Sequence, residues 1–321
     1  MKRRTLVALG LALAAAPFTT FAQGFPSKPV RFIVPYAPGG LPDSVARIVA
    51  QKLTERLGQA VVVDNKPGGN GVVAYQTLMA GAADSHSFIV SDGSMLSITP
   101  QLNKAASYQV GKELLPVSLI ARSPLFLVAH PKTGVKTLKE FVEKARAAPG
   151  HFTYGSSGIG STHHLTMEAM KADLKLDLRH VPFRGSGQSV PALVGGQVDF
   201  LFAALPSMAG FVKTGQVTLI GSNDAKRSPQ APDVAAISEV IPGFDFSVTV
   251  GALARAGTSA EAIQRLSDEI AWAVKQPDVI EKFQGAGINP VGGSPEAYRK
   301  EIERENQAMA KAGRHADLRA D

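Results

Sequence analysis

The chain has 321 residues, of which 45% are hydrophobic and 19% are charged. This length suits two domains of ordinary size, and this composition differs from that of a disordered chain or a coiled coil. The sequence contains no cysteine, which excludes disulfides, thiolate metal sites, cysteine nucleophiles and a lipoprotein anchor. Its formal net charge of +7 would suit a polyanionic partner if the basic residues were clustered.

Residues 1–22 have the pattern of a cleaved secretory signal. Lys2, Arg3 and Arg4 precede a short apolar run, and small residues flank Phe21 at a cleavage site near Ala22. The apolar run spans about eleven residues, whereas a membrane span needs about twenty. We therefore expect a signal peptide and a periplasmic protein.

Removal of the signal peptide changes the net charge. Residues 1–22 carry three positive charges and no negative one, so the net charge falls from +7 to +4. The remaining bases are dispersed, so we expect no nucleic-acid partner.

The predicted elements alternate between strands and helices. In the first third they are a strand over 30–34, a helix from Pro42 and Asp43 to Gly58, and strands over 60–63 and 87–90. In the middle they are a strand over 125–128, a helix over 138–147, a strand over 152–154, a helix over 162–172, and strands over 198–202 and 217–220. This alternation is typical of parallel sheets in α/β domains.

The last part of the chain is predicted to return to the first lobe. An extended run over 246–253 is followed by a helix over 258–275, in which Thr258 and Glu261 stand at capping-box spacing, and by a last helix that begins at 294–296. Because this segment follows the second α/β unit, we predict two α/β lobes that are joined by two crossovers and separated by a cleft.

Each predicted lobe contains a strand that leads through a glycine-rich loop into a helix, over 34–43 and over 154–164. Glycine allows the backbone to turn consecutive amides inward, and a helix N-terminus adds unpaired N–H groups and partial positive charge. Two such ends facing a cleft would suit an anion such as a carboxylate or a phosphate. We expect Asp43, in a first helical turn, to accept N–H bonds from its loop and to hold that loop open, with direct contact to the ligand as the alternative.

Residues 69–74 match the dinucleotide-binding pattern G-x-G-x-x-A, and Asp92 follows at a suitable distance. However, residues 64–68 separate the preceding strand from the first glycine, where the fingerprint requires a tight turn directly after the strand. We therefore expect no nucleotide and no other cofactor.

A secreted serine hydrolase is an alternative interpretation. Ser157 or Ser161 would be the nucleophile and His163 or His164 the base, but Ile159 stands where the G-x-S-x-G pattern needs its second glycine. The sequence also contains no H-E-x-x-H motif and no carboxylate-rich metal loop. We therefore predict no enzyme, no catalytic residues and no metal site.

Several stretches resemble the Bug or TctC-like receptors of tripartite tricarboxylate transporters. These are PYAPGGLPDSVAR at 35–47, DNKPG at 64–68, YGSSGIGSTHHL at 154–165, FRG at 183–185 and GQVD at 196–199. The match extends in order over essentially the whole mature chain. The resemblance implies a two-lobed, type II-like periplasmic binding protein of the Venus-flytrap kind, in which each lobe is a mixed sheet flanked by helices. Lobe 1 would comprise 23–123 and 244–321, and lobe 2 would comprise 124–243.

The resemblance further implies that the lobes close on a small organic mono- or dicarboxylate, and that the protein, as a monomer, delivers it to integral membrane permease subunits. An alternative partner is a signalling ectodomain. Carried over residue by residue, the candidate ligand-binding residues are Tyr36, Ala37, Gly39, Gly40, Asp43, Ser94, Ser157, Gly158, Gly160, Ser161, Phe183, Arg184 and Asp199.

Overall fold

The structure is a computed structural model that describes residues 24–97 and 108–313. The predicted signal peptide over 1–22, with its cleavage site, lies outside the described residues and stays a prediction. None of the helices in the described part of the chain has the length and the apolar composition that are needed to cross a membrane.

The strands form two mixed sheets. The strands are β1 (Val30–Val34), β2 (Val61–Asn65), β3 (Ser87–Asp92), β4 (Leu114–Ser123), β5 (Phe126–Ala129), β6 (Thr153–Ser156), β7 (Arg179–Pro182), β8 (Phe200–Ala203), β9 (Thr218–Ser222), β10 (Val248–Arg255) and β11 (Asn289–Gly293). One sheet has the order β11-β4-β10-β3-β1-β2, and the other has the order β7-β6-β8-β5-β9. We call the part built around the six-stranded sheet lobe 1 and the part built around the five-stranded sheet lobe 2.

Helices connect the strands in both lobes. The helices are α1 (Leu41–Leu57), α2 (Val72–Ala80), α3 (Gly93–Ser97), α4 (Leu138–Ala147), α5 (Thr162–Leu174), α6 (Ser186–Val194), α7 (Ala209–Lys213), α8 (Ala260–Ala273), α9 (Pro277–Gly285) and α10 (Pro295–Gly313). The predicted α/β fold with two mixed sheets is therefore confirmed.

Strand β1 shows why helices cover both faces of its sheet. Its side chains point alternately to opposite faces. Phe32 belongs to the apolar cluster that contains residues of α1, whereas Ile33 belongs to the cluster that contains residues of α2. Both side chains are fully buried. The strand is therefore apolar along almost its whole length, as expected for a strand that is covered on both faces.

The sheet pairing places the loops that follow β1 and β6 at the carboxyl edges of their sheets. Strand β1 pairs in parallel with β2 and β3, and β6 pairs in parallel with β7 and β8. Strand β10, which follows lobe 2 along the chain, lies antiparallel between β3 and β4 of lobe 1. The predicted return of the C-terminal segment to the first lobe is therefore confirmed. In open α/β sheets, ligands bind at the carboxyl ends of the strands.

The chain crosses between the two sheets twice, and Asn223 connects the two crossings. The side-chain Oδ1 of Asn223 accepts a hydrogen bond from the Leu125 N–H at 2.7 Å in the first crossing. Its Nδ2 donates to the carbonyl oxygen of Phe246 in the second crossing, and its backbone carbonyl accepts from the Phe246 N–H at 2.9 Å. Asn223 is fully buried, so these bonds form without competition from water.

The predicted elements are largely confirmed, with one capping residue wrong. Helix α4 has the predicted bounds, and α1 ends at Gly58 in the left-handed conformation. At the start of α8, however, the N-cap is Ser259 and not Thr258, because the Ser259 hydroxyl accepts the Ala262 N–H at 3.2 Å. Both residue types suit an N-cap, so the sequence pattern alone does not separate two such neighbours.

Candidate functional site

The loop between β1 and α1 is held by the carboxylate of Asp43. The Gly39 N–H donates to Asp43 Oδ2 at 2.9 Å, Arg47 Nε donates to the same oxygen at 3.0 Å, and Asn65 Nδ2 donates to Oδ1 at 2.9 Å. Burial raises the pKa of Asp43, but these hydrogen bonds and the charge of Arg47 outweigh it and keep the pKa below its usual value. Gly39 has φ +88°, which favours glycine. The carboxylate thus supports the loop.

Tyr36 anchors the beginning of the same loop. Its hydroxyl lies 2.8 Å from Asp92 Oδ1 and 3.2 Å from Asn70 Oδ1, and its backbone carbonyl accepts from Asn65 Nδ2 at 3.0 Å. Asn70 also reaches lobe 2, since its Nδ2 donates to the carbonyl oxygen of Gly160 at 3.4 Å. The side chain of Tyr36 is therefore occupied inside lobe 1, and its neighbour Asn70 contacts the second glycine-rich loop.

The second glycine-rich loop connects β6 to α5 and is closed by reciprocal bonds to His164. The Ser161 hydroxyl accepts the His164 N–H at 3.3 Å, and His164 Nδ1 accepts the Gly160 N–H at 3.1 Å. Gly158 and Gly160 have φ +127° and +74°, so both adopt the left-handed region of the backbone map. The side chain of His164 therefore takes part in capping its helix. This role differs from that of the base in the hydrolase interpretation.

A third helix start, at Gly185 and Ser186, completes the boundary between the lobes. A Cβ atom at Gly185 would lie 3.3 Å from the backbone nitrogen of Ala37, and a Cβ atom at Gly187 would lie 2.5 Å from the carbonyl oxygen of Pro38. The backbone of lobe 2 thus packs directly on the loop of lobe 1. The family-like stretch at 183–185 includes Gly185, but the candidate ligand-binding residues in this region are only Phe183 and Arg184. The sequence feature that indicates this third helix start is the pattern Gly-Ser-Gly at 185–187.

A buried triangle of side chains lies between the second loop and the third helix start. His163 Nδ1 is 3.0 Å from Ser157 Oγ, His163 Nε2 is 3.3 Å from Ser186 Oγ, and the two serine oxygens are 3.2 Å apart. Burial lowers the pKa of His163 to about 4, so the imidazole is neutral at pH 7. A hydrolytic serine needs a base that a third group orients, commonly a carboxylate. Here the second imidazole nitrogen faces another serine.

A stack of three rings supports this loop from inside lobe 2. The His180 ring lies 4.0 Å from the His164 ring and 4.8 Å from the Tyr154 ring, measured between centroids. His180 Nε2 is 2.6 Å from Ser156 Oγ, and the Tyr154 hydroxyl donates to Glu168. Burial lowers the pKa of His164 to about 4 and that of His180 to about 3. Both imidazoles are therefore neutral and act as flat packing groups at pH 7.

Four of the predicted residues either lie away from the boundary between the lobes or have few described contacts. They are Asp199, Phe183, Arg184 and Ser94. Asp199 accepts the N–H and the hydroxyl of Thr153 at 2.7 and 2.8 Å and pairs with Lys132 at 3.1 Å. Thr153 is the first residue of β6, whereas the glycine-rich loop follows its last residue. The structure therefore does not bring Asp199 together with the loops. Phe183 is half-buried, and a Cβ atom at Gly155 would lie 3.3 Å from its ring.

Arg184 is exposed, and its guanidinium has no ion-pair partner among the described residues. Ser94 lies in α3, but its side chain is not among those that the structure describes. The remaining predicted residues lie in the two glycine-rich loops or at the first turns that follow them. Both loops adjoin Ser186: a Cβ atom at Gly40 would lie 3.9 Å from the Ser186 Cβ, and Ser157 Oγ lies 3.2 Å from Ser186 Oγ. In the described part of the chain, no group of three histidine, aspartate or glutamate side chains is arranged to hold a metal ion.

Comparison with known proteins gives a consistent result. Residues 45–314 match the model of the tripartite tricarboxylate transporter family receptor. BugT of Bordetella pertussis is 31% identical over 313 residues, which cover 96% of this chain and 95% of that protein. A Rhodopseudomonas palustris protein solved with adipate is 27% identical, with a TM-score of 0.87 and coverage of 91% of this chain and 98% of that one. MatC from R. palustris, solved with bound malate, is 27% identical, with a TM-score of 0.83 and coverage of 90% and 99%. This chain belongs to the tripartite tricarboxylate transporter receptor family.

Proposed function

We propose that this protein is a periplasmic receptor that captures a small organic carboxylate between its lobes and delivers it to membrane permease subunits. The observation that carries the proposal is the meeting of three helix N-termini, those of α1, α5 and α6, at the boundary of the two lobes. Each helix start presents unpaired N–H groups and partial positive charge. An anion that contacts loops of both lobes binds the closed form better than the open form and therefore favours closure.

The ligand would be held mainly by backbone amides and hydroxyl groups. Residues 37–40 form one wall, residues 157–161 form the second, and residues 185–187 complete the boundary. Asp43 supports the first wall through Gly39 and is not itself a ligand contact in this proposal. The relatives with adipate and malate bind aliphatic dicarboxylates. The guanidinium of Arg184, which has no ion-pair partner among the residues that the structure describes, is suited to a second carboxylate.

Several sequence predictions belong to the same proposal. The protein would be exported by residues 1–22 and act in the periplasm, in keeping with its family and with the periplasmic relatives. The lobe boundaries would fall near 123 and 244, and the protein would act as a monomer. The two-sheet organisation supports the boundaries, since β4 ends at Ser123 and β10 begins at Val248.

A ligand screen tests the capture step. The purified protein is freed of retained ligand by reversible unfolding, and its melting temperature is measured with adipate, malate, succinate, citrate and benzoate, and with adipamide as an uncharged control. A ligand that binds only the folded state raises the melting temperature by mass action, by an amount equivalent to about 2.7 kcal/mol at a hundredfold excess over Kd. We expect at least one carboxylate, and not adipamide, to do so. A folded protein that none of the acids stabilises would refute the proposal.

A separate experiment tests delivery. The permease subunits are reconstituted in vesicles, and uptake of the radiolabelled carboxylate is measured with and without the receptor. We expect uptake only when the liganded receptor is present. Binding without any receptor-dependent uptake would leave capture intact and would point to another partner.

A further inference from the structure

The G-x-G-x-x-A pattern over 69–74 begins in the loop between β2 and α2, where it forms a left-handed turn. Residues 69–71 have φ +56°, +46° and +102°, so three consecutive residues lie in the region of the backbone map that favours glycine. A Cβ atom at Gly71 would lie 2.5 Å from Met95 Cγ, and Met95 is fully buried. The turn therefore packs directly on lobe 1, with Asn70 between two glycines.

The side chain of Asn70 joins the two lobes. Its Nδ2 donates to the carbonyl oxygen of Gly160 at 3.4 Å, and its Oδ1 lies 3.2 Å from the hydroxyl of Tyr36. Away from the two crossings, the bond to Gly160 is the hydrogen bond that connects lobe 1 to lobe 2 among the residues that the structure describes. Because its two ends belong to different lobes, this bond exists only while the lobes are in contact.

The residue type at position 70 favours a role for the side chain. Asparagine is one of the few residues other than glycine that adopt the left-handed conformation, but glycine adopts it at lower cost. The glycines on either side of Asn70 meet the backbone requirement without a side chain. We therefore attribute the asparagine to its contacts with Tyr36 and Gly160, since its backbone conformation alone would be met best by a third glycine.

The bond from Asn70 completes the hydrogen bonding of Gly160. The N–H of Gly160 donates to His164 Nδ1 at 3.1 Å, within lobe 2, whereas its carbonyl oxygen accepts from lobe 1. That carbonyl shares a peptide group with the N–H of Ser161, which donates to the Gly158 carbonyl at 3.1 Å. Asn70 thus fixes the orientation of the peptide group directly before α5, in the second wall of the proposed carboxylate site.

The same contacts lead back into the interior of lobe 1. The Tyr36 hydroxyl lies 2.8 Å from Asp92 Oδ1, and both side chains are buried, with exposures of 5% and 3%. A continuous series of polar contacts therefore runs from the end of β3 through Tyr36 and Asn70 to Gly160. Because Asn70 is held from behind and its backbone is fixed by the turn, little side-chain freedom is lost when the lobes meet.

We propose that Asn70 is a latch between the lobes, which donates to Gly160 in the closed form, positions the second glycine-rich loop on the bound carboxylate and slows release of the ligand. This inference rests on the proposed function, since it concerns closure over the same cleft. Asn70 is a positioning residue, because it acts through Gly160 and does not itself touch the ligand.

A latch of this kind has a kinetic signature. The ligand first meets a receptor whose lobes are apart, where the bond does not exist, so the association rate does not depend on Asn70. The closed complex contains the bond, so its loss speeds dissociation. One hydrogen bond of ordinary net strength corresponds to a change of about 2–12-fold in an equilibrium constant.

Rapid mixing with a fluorescent reporter of closure tests the latch. The chain has no cysteine, so Ala83→Cys in lobe 1 and Ala147→Cys in lobe 2, both at exposed positions, allow specific attachment of an energy-transfer pair. The probe is the strongest binder among adipate, malate, succinate and citrate. In Asn70→Gly, which retains the left-handed turn and removes the amide, we expect about 3–10-fold faster release, an association rate within about twofold of the wild type, and a smaller closed fraction at equal occupancy.

Two further variants isolate the bond to Gly160. Lys175→Gly is the matched control, because Lys175 is an exposed residue of lobe 2 with φ +53°, and it should release the probe at the wild-type rate. Asn70→Asp keeps the shape of the side chain but loses the N–H donor, so its release should be at least as fast as that of Asn70→Gly. The melting temperature of each ligand-free variant shows that it is folded.

The outcomes separate the two proposals. Wild-type release from Asn70→Gly or from Asn70→Asp would overturn the latch and leave the receptor function intact. Equally fast release from Lys175→Gly would also overturn it, because the effect would then come from backbone freedom. If none of the four acids binds the folded wild type, the proposed function fails, and the latch fails with it.

Discussion

Gly187 of lobe 2 lies directly against the carbonyl oxygen of Pro38 of lobe 1, so closely that an alanine Cβ at position 187 would be 2.5 Å from that oxygen. Carbon and oxygen atoms that are not bonded do not approach to this distance. The φ angle of Gly187 lies outside the left-handed region, so an alanine would fit its own backbone without strain. The absence of a side chain at position 187 is therefore what allows the two lobes to make this contact.

This contact predicts that Gly187→Ala weakens ligand binding without weakening the fold. Alanine in a helix is favoured over glycine by up to about 1 kcal/mol, whereas the clash with Pro38 is relieved when the lobes separate. We expect Kd to rise at least tenfold, as measured by calorimetry, with the melting temperature of the ligand-free protein almost unchanged.

Gly210→Ala is the matched control. Gly210 lies in α7, also a helix, and a Cβ atom there would have no neighbour within 4 Å. This variant should bind as the wild type does. A Gly187→Ala protein with the wild-type Kd would show that the two backbones do not meet in the liganded state.

Asp43→Asn tests the support of the first loop. The amide cannot accept from Gly39, Arg47 and Asn65 in the way that the carboxylate does, and it removes the charge that faces Arg47. We expect a loss of about 1–3 kcal/mol in the free energy of unfolding, because the group is 3% exposed, together with weaker ligand binding. Urea denaturation measures the first effect and calorimetry the second.

The contribution of Asp43 to stability should depend on pH, and a second variant serves as its control. The pKa of Asp43 in the folded protein lies below its usual 3.8, so its stabilisation is complete above pH 3.8 and is lost as the pH falls through the folded-state value. Asp43→Asn should flatten this acid limb. Asp64→Asn removes a more exposed partner of Arg31 and should cost less than about 1 kcal/mol. Equal losses for the two variants would contradict the assigned role of Asp43.

These residues show what the sequence could and could not predict. The bond from Gly39 to Asp43 is local, so the order strand, glycine loop, acidic first turn was enough to predict it. The contact of Gly187 with Pro38 joins positions far apart in the chain, and no local pattern specifies how two lobes meet. The family motif predicts that Asp199 lies near the cleft, but the register of β8 beside β6 places it next to Thr153, at the other end of the strand.

Asn223→Ala tests the connection between the two crossings. The substitution removes the acceptor of the Leu125 N–H and the donor to the Phe246 carbonyl, and both backbone groups then lose a partner in the interior. Each such loss costs about 1–3 kcal/mol, so we expect a decrease of about 2–6 kcal/mol in the free energy of unfolding. Asn223→Asp, at a pH where its carboxyl group is protonated, keeps an acceptor for the Leu125 N–H and has an O–H that can donate to the Phe246 carbonyl, so it should lose less stability than Asn223→Ala. A stability close to that of the wild type in Asn223→Ala would show that water replaces both bonds.

The stacked histidines predict that acid destabilises this protein well above the range in which carboxylates titrate. His164 and His180 have folded-state pKa values of about 4 and 3, lowered first by burial, against an unfolded value of 6.5. The unfolded chain therefore binds more protons as the pH falls below 6.5, and the free energy of unfolding decreases by about 2 kcal/mol per histidine between pH 7 and pH 5.

The variant His180→Phe tests this pH dependence. It keeps a flat ring against His164 and Tyr154 but has no titrating nitrogen. At pH 7 it should lose about 1–2 kcal/mol, because the bond to Ser156 disappears, and its stability should then depend less steeply on pH than that of the wild type. Urea denaturation at pH 5, 6 and 7 measures both effects, and the exposed residue His151, changed to Gln, serves as the control that keeps the wild-type slope. If the slopes of His180→Phe and the wild type are the same, the imidazole of His180 is already protonated in the folded protein, and the stack does not hold it neutral.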